Sequence, residues 1–389
     1  MWGMDHGENE DMKFEVGCYY FPNYHTGDAR NDRQHGPGWS EWTLVRGAVP
    51  RFPGHRQPIR PLWGLEDEKL PSVMARKIDA AADAGIDFFI FDWYYYDDGP
   101  FLERALEEGF FNAPNRGRLK FCTMWANHDW TDIHPATRFS PRTVLYPGRV
   151  TRATFEKIAT IHIERYFARP EYYTVDGKPY FSIYDLGKLL ASFGSVAGTR
   201  RALDDFRTAA KRAGFPDLHL DLVAWGAPLL PGEATVADLP QVVEELGFDS
   251  VTSYVWKHEA HFPACGTMDY RDFAGQYFEF WERARRIYRC EYYPNLTVGW
   301  DSSPRLAPSE VWEPCVFKYP CGPIVTGRSP ELFRAAARRL KELLGASAQK
   351  HKILTVNSWN EWTESSYLEP DDLFGTGYLD VMREEFARG

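Results

Sequence analysis

The sequence lacks several features that would place it in common functional classes. No stretch of its 389 residues approaches the ~18 consecutive apolar residues that a membrane-spanning helix needs. It has no long block of lysine or arginine, and its net charge is −10. Nucleic-acid surfaces and anionic membranes are bound by basic patches, so neither partner is expected. Neutral or small polar molecules are the expected partners.

Cysteine is scarce and is not arranged in metal-binding or redox motifs. The six cysteines are Cys18, Cys122, Cys265, Cys290, Cys315 and Cys321. They include no Cys-x-x-Cys pair, and two of them fall in predicted core strands, so we predict free thiols rather than a disulfide or zinc framework. The histidines of "WANHDWTDIH" and "WKHEAHF" match no common ligand spacing. Neither a metal nor another cofactor is expected.

The N-terminal segment also lacks the pattern of a secretory signal. Residues 1–13 are acidic, whereas a signal peptide begins with basic residues and continues with an apolar run. We expect an N-terminal extension over 1–13, followed by one catalytic domain over 14–389. We also expect a cytoplasmic protein, or a secreted or periplasmic one if a signal peptide has been removed.

Aromatic residues, in contrast, are abundant. The chain has 14 Trp, 21 Tyr and 26 Phe, and many of them stand beside Asp, Asn or Glu at the ends of apolar runs. Aromatic rings stack on the C–H faces of sugars, while amide and carboxylate groups hold the sugar hydroxyls. The pattern therefore favours an oligosaccharide or polysaccharide as the partner.

Eight short apolar runs alternate with longer amphipathic segments. The predicted strands cover 14–21, 88–96, 119–127, 179–186, 218–226, 249–256, 295–302 and 352–360. Predicted helices include 71–84, 151–167, 200–213, 270–288 and 330–344, with Pro71 and Pro330 suited to the first turn. This alternation predicts an α/β protein built as a single (β/α)8 TIM barrel. A doubly wound open sheet is the alternative, but its glycine-rich phosphate turn is missing.

Several connections after the predicted strands are long, namely 22–70, 127–150, 226–240, 257–269 and 302–329. Long loops in a compact domain are usually functional, and in a TIM barrel these loops meet at the C-terminal face. We predict that residues in the first loop and at the strand ends converge there to bind substrate. They are Tyr20, Trp42, Asp92, Trp93, Tyr94, Trp125, Asn127, Asp129, Tyr184, Tyr254, Trp300, Asn360 and Trp362.

A pair of glutamates follows the last predicted strand, in "VNSWNEWTESSYLEP" over 356–370. A helical turn after Asn360 would place Glu361 and Glu364 on one face, with Cβ atoms roughly 5 to 6 Å apart. This is close to the ~5 to 5.5 Å carboxyl separation of retaining glycosidases. The alternative is an ordinary helix capped by Asn360, whose first turn favours acids. The flanking tryptophans and the position in the barrel favour a catalytic pair.

Two other features have two interpretations each. Asp92 in "FDWYYYDDG" ends a buried strand, where a carboxyl group is either functional or bonded to loop N–H groups. Trp39, Trp42 and Trp63 lie in the long first loop, where they form either a wall of the site or a small separate core.

Six motifs together resemble the bacterial WbsX-like proteins, which are grouped near glycoside hydrolase family 99, the endo-α-mannosidases and endo-α-mannanases. They are "VGCYYFPNYH", "WSEW", "FPGHRQP", "DAAADAGIDFFIFDWYYY", "WANHDW" and "NSWNEWTESSYLEPD". The resemblance covers nearly the whole chain. WbsX-like proteins were named as glycosyltransferases, whereas their fold and acidic site look like those of a hydrolase.

In family 99 the last strand ends in Asn-Glu-Trp-His-Glu-Gly-Thr, and "NEWTESS" keeps Asn360, Glu361, Trp362 and Glu364. The resemblance implies that Glu361 deprotonates the sugar 2-hydroxyl, which attacks C1 to form a 1,2-anhydro sugar. It also implies that Glu364 is the acid and then the base. Thr363 stands where the family has His, and Ser365 where it has Gly, so the mannose preference does not carry over.

We therefore predict a retaining glycoside hydrolase that cleaves α-linked bonds in an oligosaccharide or polysaccharide. One alternative is a WbsX-type glycosyltransferase in polysaccharide biosynthesis, which needs a site for a donor phosphate. No glycine-rich turn or Asp-x-Asp motif supplies one. The other alternative is a non-catalytic carbohydrate-binding barrel, which would have lost an acid, whereas both glutamates are present.

Overall fold

The computed structural model describes residues 13–313 and 315–387. Nine parallel strands form the central sheet: β1 (Glu15–Tyr20), β2 (Phe88–Tyr96), β3 (Lys120–Trp125), β4 (Lys178–Ile183), β5 (His219–Val223), β6 (Ser250–Thr252), β7 (Glu291–Tyr293), β8 (Asn295–Thr297) and β9 (Ile353–Asn357). Their order is β7-β6-β5-β4-β3-β2-β1-β9-β8. The predicted N-terminal extension lies almost entirely outside the described residues.

The sheet closes into a barrel through one segment of chain. β7 pairs with β6, starting at Glu291 opposite Ser250, and β8 pairs with β9, starting at Asn295 opposite Thr355. Only Pro294 separates β7 from β8. Proline has no backbone N–H to donate to a ladder, so the strand changes neighbours at this residue. The two short strands together serve as the seventh of eight barrel strands, which confirms the predicted TIM barrel, although this strand begins four residues earlier than predicted.

Helices surround the barrel and connect its strands. The described α-helices are α1 (Ala29–His35), α2 (Trp42–Gly47), α3 (Pro71–Asp83), α4 (Arg152–Ile161), α5 (Leu186–Phe193), α6 (Val196–Arg212), α7 (Leu239–Leu246), α8 (Tyr270–Ala284), α9 (Pro330–Gly345) and α10 (Gly377–Phe386). Two π-helical segments cover Ala105–Phe110 and His162–Tyr166, and 3-10 turns cover Arg116–Arg118, Trp256–His258, Ser303–Arg305 and Trp362–Glu364. Pro71 and Pro330 occupy first-turn positions, as predicted, and the Ser329 hydroxyl caps α9 by accepting from the Leu332 N–H. None of the described helices is long and apolar enough to cross a membrane.

Short strands also lie in the loops. They cover Gly99–Phe101, Trp130–Thr131, Val144–Tyr146, Thr174–Val175, Thr267–Asp269, Ile324–Thr326, Asn360–Glu361 and Ser366–Tyr367. The pair Trp130–Thr131 and Val144–Tyr146 shapes the loop after β3, and the pair Asn360–Glu361 and Ser366–Tyr367 shapes the loop after β9. These pairings give fixed geometry to two loops at the C-terminal face of the barrel.

The prediction that all six cysteines are free thiols was wrong for one pair. Cys265, in the loop after β6, forms a disulfide with Cys315, in the loop after β8. The two residues are 50 positions apart, so the pairing depends on where two barrel loops meet and not on a local motif. Cys18, Cys122 and Cys290 are free, as is Cys321.

Candidate active site

A pocket opens at the C-terminal face of the barrel, at the ends of β2, β3 and β4. Its empty space is about 610 Å³, including the part open to solvent. The lining residues are Phe21, Asp92, Tyr94, Met124, Ala126, His128, Asp129, Trp130, Thr131, Ile133, His134, Tyr184, Leu229, Leu230, Tyr254, Arg305, Glu361 and Glu364. Aromatic walls and a few polar groups are typical of a small-molecule site.

The two glutamates singled out by the sequence both reach this pocket. Residues 362–364 form a single turn of 3-10 helix directly after the short strand that contains Glu361. Arg305 bridges the pair, since its Nη2 donates to Glu361 Oε1 at 2.7 Å and its Nη1 donates to Glu364 Oε1 at 2.7 Å. The turn predicted from the three-residue spacing therefore forms, and one guanidinium holds both carboxyl groups.

Arg305 makes a third carboxylate contact with Glu41, which comes from the first long loop. Its Nε donates to Glu41 Oε1 at 2.9 Å. The same oxygen accepts from the Thr363 hydroxyl at 2.5 Å, and Glu41 Oε2 accepts from Asn23 Nδ2 at 2.7 Å. Thr363, one of the two residues that depart from the family 99 pattern, thus joins the first loop to the turn that contains Glu361 and Glu364.

Tyr319 completes the surroundings of Glu364. Its hydroxyl lies within hydrogen-bond distance of Glu364 Oε1 and of Arg305 Nη1. Both donors to Glu364 therefore use the same oxygen, which leaves Oε2 available to a ligand. Arg305 and Tyr319 belong to the loop after β8, which the disulfide ties to the loop after β6.

On the other side of the pair, Asp92 and Glu361 share one hydroxyl group. Tyr254 Oη lies 2.9 Å from Asp92 Oδ2 and 3.3 Å from Glu361 Oε2. Asp92 Oδ1 is buried and has no hydrogen-bond partner within the described chain. The carboxyl group is therefore not a cap for loop N–H groups, which was one interpretation of its position.

The electrostatics of the site come from several acids around one cation. Burial raises the pKa of Glu361 well above its usual value, and the adjacent Glu364 raises it further. Burial also raises the pKa of Glu364 and that of Asp92. For Glu41 burial acts in the same direction, but the charge of Arg305 and the hydrogen bonds from Thr363 and Arg305 outweigh it and the pKa falls. Glu41 is thus the ionised partner of Arg305, while the other three acids retain protons to higher pH.

The opposite wall is aromatic and neutral. Burial lowers the pKa of His128 to about 4 and that of His134 to about 3, so both rings are uncharged at neutral pH. The His134 ring stacks on Trp130 with centroids 5.2 Å apart, and Tyr94 meets Trp130 edge to face. No group of three or more His, Cys, Asp or Glu side chains in residues 13–313 and 315–387 is arranged to hold a metal ion.

Seven of the predicted site residues line the pocket: Asp92, Tyr94, Asp129, Tyr184, Tyr254, Glu361 and Glu364. Asp129 lies in the wall, but its oxygens already accept from the Gly148 N–H at 2.8 Å and from Lys188 Nζ at 2.6 Å. Tyr184 bonds to Glu233 at 2.8 Å. Its hydroxyl therefore has a polar partner within the protein.

Three predicted residues face the helices instead, because successive strand residues point to opposite faces. Trp93 donates to the Tyr166 hydroxyl at 3.2 Å, and Trp125 packs on Phe155 of α4. Tyr20 lies against Lys77 of α3, while its neighbour Phe21 lines the pocket. Tyr20, Trp93 and Trp125, which were predicted to bind substrate, therefore do not line this pocket.

Three tryptophans predicted for the site are also outside the pocket lining. Trp42 donates to the Glu66 carbonyl oxygen at 2.8 Å, and Trp362 stacks on Tyr367 with centroids 3.7 Å apart. Trp300 is buried and faces a different pocket, which is described below. Trp42 and Trp362 pack together with ring centroids 5.9 Å apart, and both belong to the main hydrophobic core instead of a separate one under the first loop.

The two asparagines predicted to bind substrate instead join neighbouring barrel strands. Asn127 donates to the Asp185 carbonyl oxygen at 2.8 Å and accepts from the Asp185 N–H at 2.7 Å. Asn360 makes the same pair of bonds with Phe21, each at 2.8 Å. Asn360 Nδ2 also donates to Glu68 Oε1 at 2.9 Å. Both amides are thus bonded within the protein, where they hold the strand ends in place instead of facing the pocket.

The central cation and two of its partners were not predicted from the sequence. Arg305 stands in "SPRLAP" and Tyr319 in "FKYPCG", in a loop without periodicity. Glu41 stands in "WSEW", a motif that was noted for its tryptophans. The signal that could have identified Glu41 is an acid between two aromatic residues in a long loop.

Comparison with solved structures places this fold among TIM-barrel glycoside hydrolases. A glycoside hydrolase-like protein superimposes with a TM-score of 0.59 and 15% identity, over 100% of this chain and 98% of the other. The GH99 endo-alpha-mannosidase from Bacteroides thetaiotaomicron superimposes with a TM-score of 0.54 and 16% identity, over 95% of this chain and 96% of the other. These similarities define the class of fold, a glycosidase-like barrel.

Within that class, the chain belongs to the family described as glycosyltransferase WbsX, whose model matches residues 16–382. This confirms the resemblance found in the motifs. The uncharacterized protein WxcX from Xanthomonas campestris pv. campestris strain B100 is 27% identical over 391 residues, which is 97% of this chain. The matched region is 50% of that relative, so the chain spans about half the length of the curated proteins it matches.

Proposed function

We propose that this chain is a glycoside hydrolase that cleaves α-linked bonds of an oligosaccharide or polysaccharide with retention of configuration. The observation that carries the proposal is the pair Glu361 and Glu364, which share one guanidinium at the C-terminal face of the barrel. Aromatic residues beside this pair, such as Tyr94 and Trp130, offer the surfaces on which sugar rings stack.

The proposed roles follow from the geometry around each carboxyl group. Glu364 is the general acid, because both of its protein donors approach one oxygen and leave the other for the leaving group. Glu361 is the base, and Tyr254 fixes its second oxygen beside Asp92. Burial raises the pKa of both acids, Glu364 and Glu41 raise that of Glu361 further, and Glu41 raises that of Glu364, so the cluster can keep a transferable proton near neutral pH.

The proposed reaction has two steps. Glu361 removes the proton of the sugar 2-hydroxyl, O2 forms a bond to C1, and the bond from C1 to the leaving oxygen breaks as Glu364 protonates that oxygen. Glu364 then removes a proton from water, which attacks C1, while the C1–O2 bond opens and O2 recovers its proton from Glu361. Neither carboxylate needs to reach the anomeric carbon, which suits two groups on one short turn.

The test is hydrolysis of a panel of α- and β-linked glycans and aryl glycosides, with product anomers followed by NMR. We expect the wild type to release a product of retained configuration and Glu361→Gln to release none. Glu342→Gln, on the exposed face of α9, is the matched control and should behave as wild type. Absence of release from every glycan by the wild type would contradict the proposal.

The family's description supports a second candidate, a glycosyltransferase that uses the same pocket. In that case the attacking hydroxyl would belong to an acceptor sugar instead of water. Incubation with nucleotide sugars and oligosaccharide acceptors would yield a longer glycan, and the donor would raise the melting temperature. A non-catalytic binding barrel would give neither a hydrolysis product nor a transfer product.

A further inference from the structure

A second pocket lies at the same face of the barrel, between the loop after β8 and the loop after β9. Its empty space is about 720 Å³, including the part open to solvent. It shares no lining residue with the pocket of Glu361 and Glu364. The peptide segment of Glu364 and Ser365 separates the two, since Ser365 lines the second pocket.

Arg328 supplies the unusual feature of this pocket. Its Nη2 donates to the Tyr367 hydroxyl at 3.1 Å, and its Nη1 lies 3.5 Å from the Tyr378 hydroxyl. Its guanidinium carbon is 5.1 Å from the Tyr367 ring centroid and 5.7 Å from that of Phe374. Arg328 forms no ion pair in the described chain; the nearby Asp371 carboxylate accepts instead from the Tyr367 hydroxyl at 2.8 Å and from the N–H groups of Leu373 and Phe374. A permanently charged group with five donors thus faces a cavity with only two phenolic acceptors.

The one acid in the pocket wall is already occupied. Asp301 Oδ2 is 2.9 Å from His55 Nε2 and accepts from Gln57 Nε2 at 2.8 Å, while Oδ1 accepts from the Ser303 N–H at 2.9 Å. Arg56, an exposed lining residue, adds a second positive charge at the pocket. The pocket therefore presents two arginines and no carboxylate that is free to pair with them in the part of the chain described.

A glycine makes room for the Arg328 side chain. A Cβ atom on Gly299 would lie 2.8 Å from Arg328 Cδ and 2.8 Å from the Ser365 carbonyl oxygen. Both distances are too short for a real side chain, so residue 299 has space only for hydrogen. The backbone after β8 is thus shaped around this arginine.

The remaining walls are apolar and include Phe52, Ile59, Ile324 and Leu373. A bare inorganic ion would leave these surfaces without contact, whereas a ligand with a carbon skeleton would cover them. The location is also informative, because TIM barrels frequently bind phosphate groups between the loops that follow their seventh and eighth strands. The cation, the apolar wall and the position of the pocket together indicate that its ligand is an organic anion.

We propose that this second pocket binds a sugar bearing an anionic group, either a phosphate or a carboxylate. Arg328 is the principal ligand, because its planar guanidinium pairs with both kinds of oxyanion. Arg56 adds a second contact at the pocket, and the apolar wall packs on the sugar ring. The site is separate from the proposed hydrolytic pair and does not depend on its activity.

Isothermal titration calorimetry with glucose 1-phosphate, glucuronate and glucose tests the proposal. We expect one or both anions to bind the wild type and glucose to bind at least roughly tenfold more weakly, since each charged hydrogen bond is worth about a factor of ten or more. Whichever anion binds more tightly identifies the group that the pocket accepts. Failure of both anions to bind would overturn the proposal.

Substitutions at the pocket test whether the anion binds there. Arg328→Met should weaken binding of the preferred anion roughly tenfold to hundredfold, and Arg56→Met severalfold. Arg289→Met, at an exposed position outside the pocket, should have no effect, and Glu361→Gln should leave the affinity unchanged. Arg56→Met keeps the test decisive if Arg328→Met fails to fold. Wild-type affinity in both pocket variants would overturn the proposal, whatever the result of the hydrolysis assay.

Discussion

Two arginines at one face of the barrel have opposite surroundings. Arg305 contacts three glutamates, while Arg328, on the other side of residues 364–365, contacts tyrosine hydroxyls and aromatic rings and forms no ion pair within the described residues. The first environment has more acids than its cation can neutralise, so the carboxyl groups compete for protons. The second has a cation whose donors are available. Neighbouring pockets of one fold can therefore differ in the charge of the ligand group that they favour.

The largest expected effect concerns the acid of the first pocket. Glu364→Gln should reduce hydrolysis of natural glycans by about 10²- to 10⁴-fold, the usual contribution of a general acid. An aryl glycoside with an activated leaving group needs no protonation and should be spared. Glu361→Gln should abolish turnover of both substrates, and rates with each substrate measure the contrast. Small and equal losses in both variants would show that the assigned roles are wrong.

Removal of each arginine should lower the free energy of unfolding, and the loss should be larger for Arg305 than for Arg328. Arg305→Met leaves Glu41 buried and ionised without its partner, which should lower the free energy of unfolding by about 3–5 kcal/mol. Arg328→Met breaks no ion pair and should cost about 1–2 kcal/mol, from lost ring and hydroxyl contacts. Urea unfolding of the two variants measures both values. Equal losses would mean that the two environments do not differ as described.

Gly299→Ala probes the boundary between the pockets. The added methyl group would collide with Arg328 and with the rigid Ser365 carbonyl oxygen, so we expect a loss of about 1–3 kcal/mol in unfolding free energy. Binding of the sugar anion should weaken as Arg328 is displaced. Gly275→Ala, at a helical position with open space around it, serves as the control. Unchanged stability and binding would contradict the close approach.

The smallest expected effect is a difference in pH dependence. Because the folded-state pKa of Glu361 is raised above its usual 4.5, its contribution to stability is fully present below that pH and is lost as the pH rises. The wild-type melting temperature should therefore fall more between about pH 5 and about pH 8 than that of Glu361→Gln. Arg328→Met should keep the wild-type slope, since its pocket contains no comparable acid. Parallel curves for wild type and Glu361→Gln would refute this.

The strand and helix pattern was predictable from the sequence because it depends on local periodicity, and the pair at 361 and 364 was predictable from its spacing. It was harder to predict which residues at the end of a strand face the pocket. Asp92 and Tyr94 face the pocket, while Trp93 faces the helices. Strand residues alternate between the two faces, but the alternation shows which residues face inward only when one of them is already known to do so. The rule was available, but the prediction included all three.

Contacts between distant loops could not be predicted in the same way. Arg305 meets Glu41 across 264 positions, and Cys265 meets Cys315 across 50. Neither pairing leaves a periodic signal, because closure of the barrel decides which loops become neighbours. Ser365 is a local feature by contrast, because its φ of 53° lies in the left-handed region that Gly adopts more readily than Ser.

Pro294 has a consequence for how the barrel opens. The sheet has no continuous ladder across this residue, since the chain pairs with β6 before it and with β9 after it. Every other pair of neighbouring barrel strands forms one uninterrupted hydrogen-bond ladder. The seam at β7 and β8 is therefore where the closed cylinder can first become an open sheet during unfolding. Native-state hydrogen exchange should detect it as amides of β6 and β7 that lose protection before those of β2 and β3.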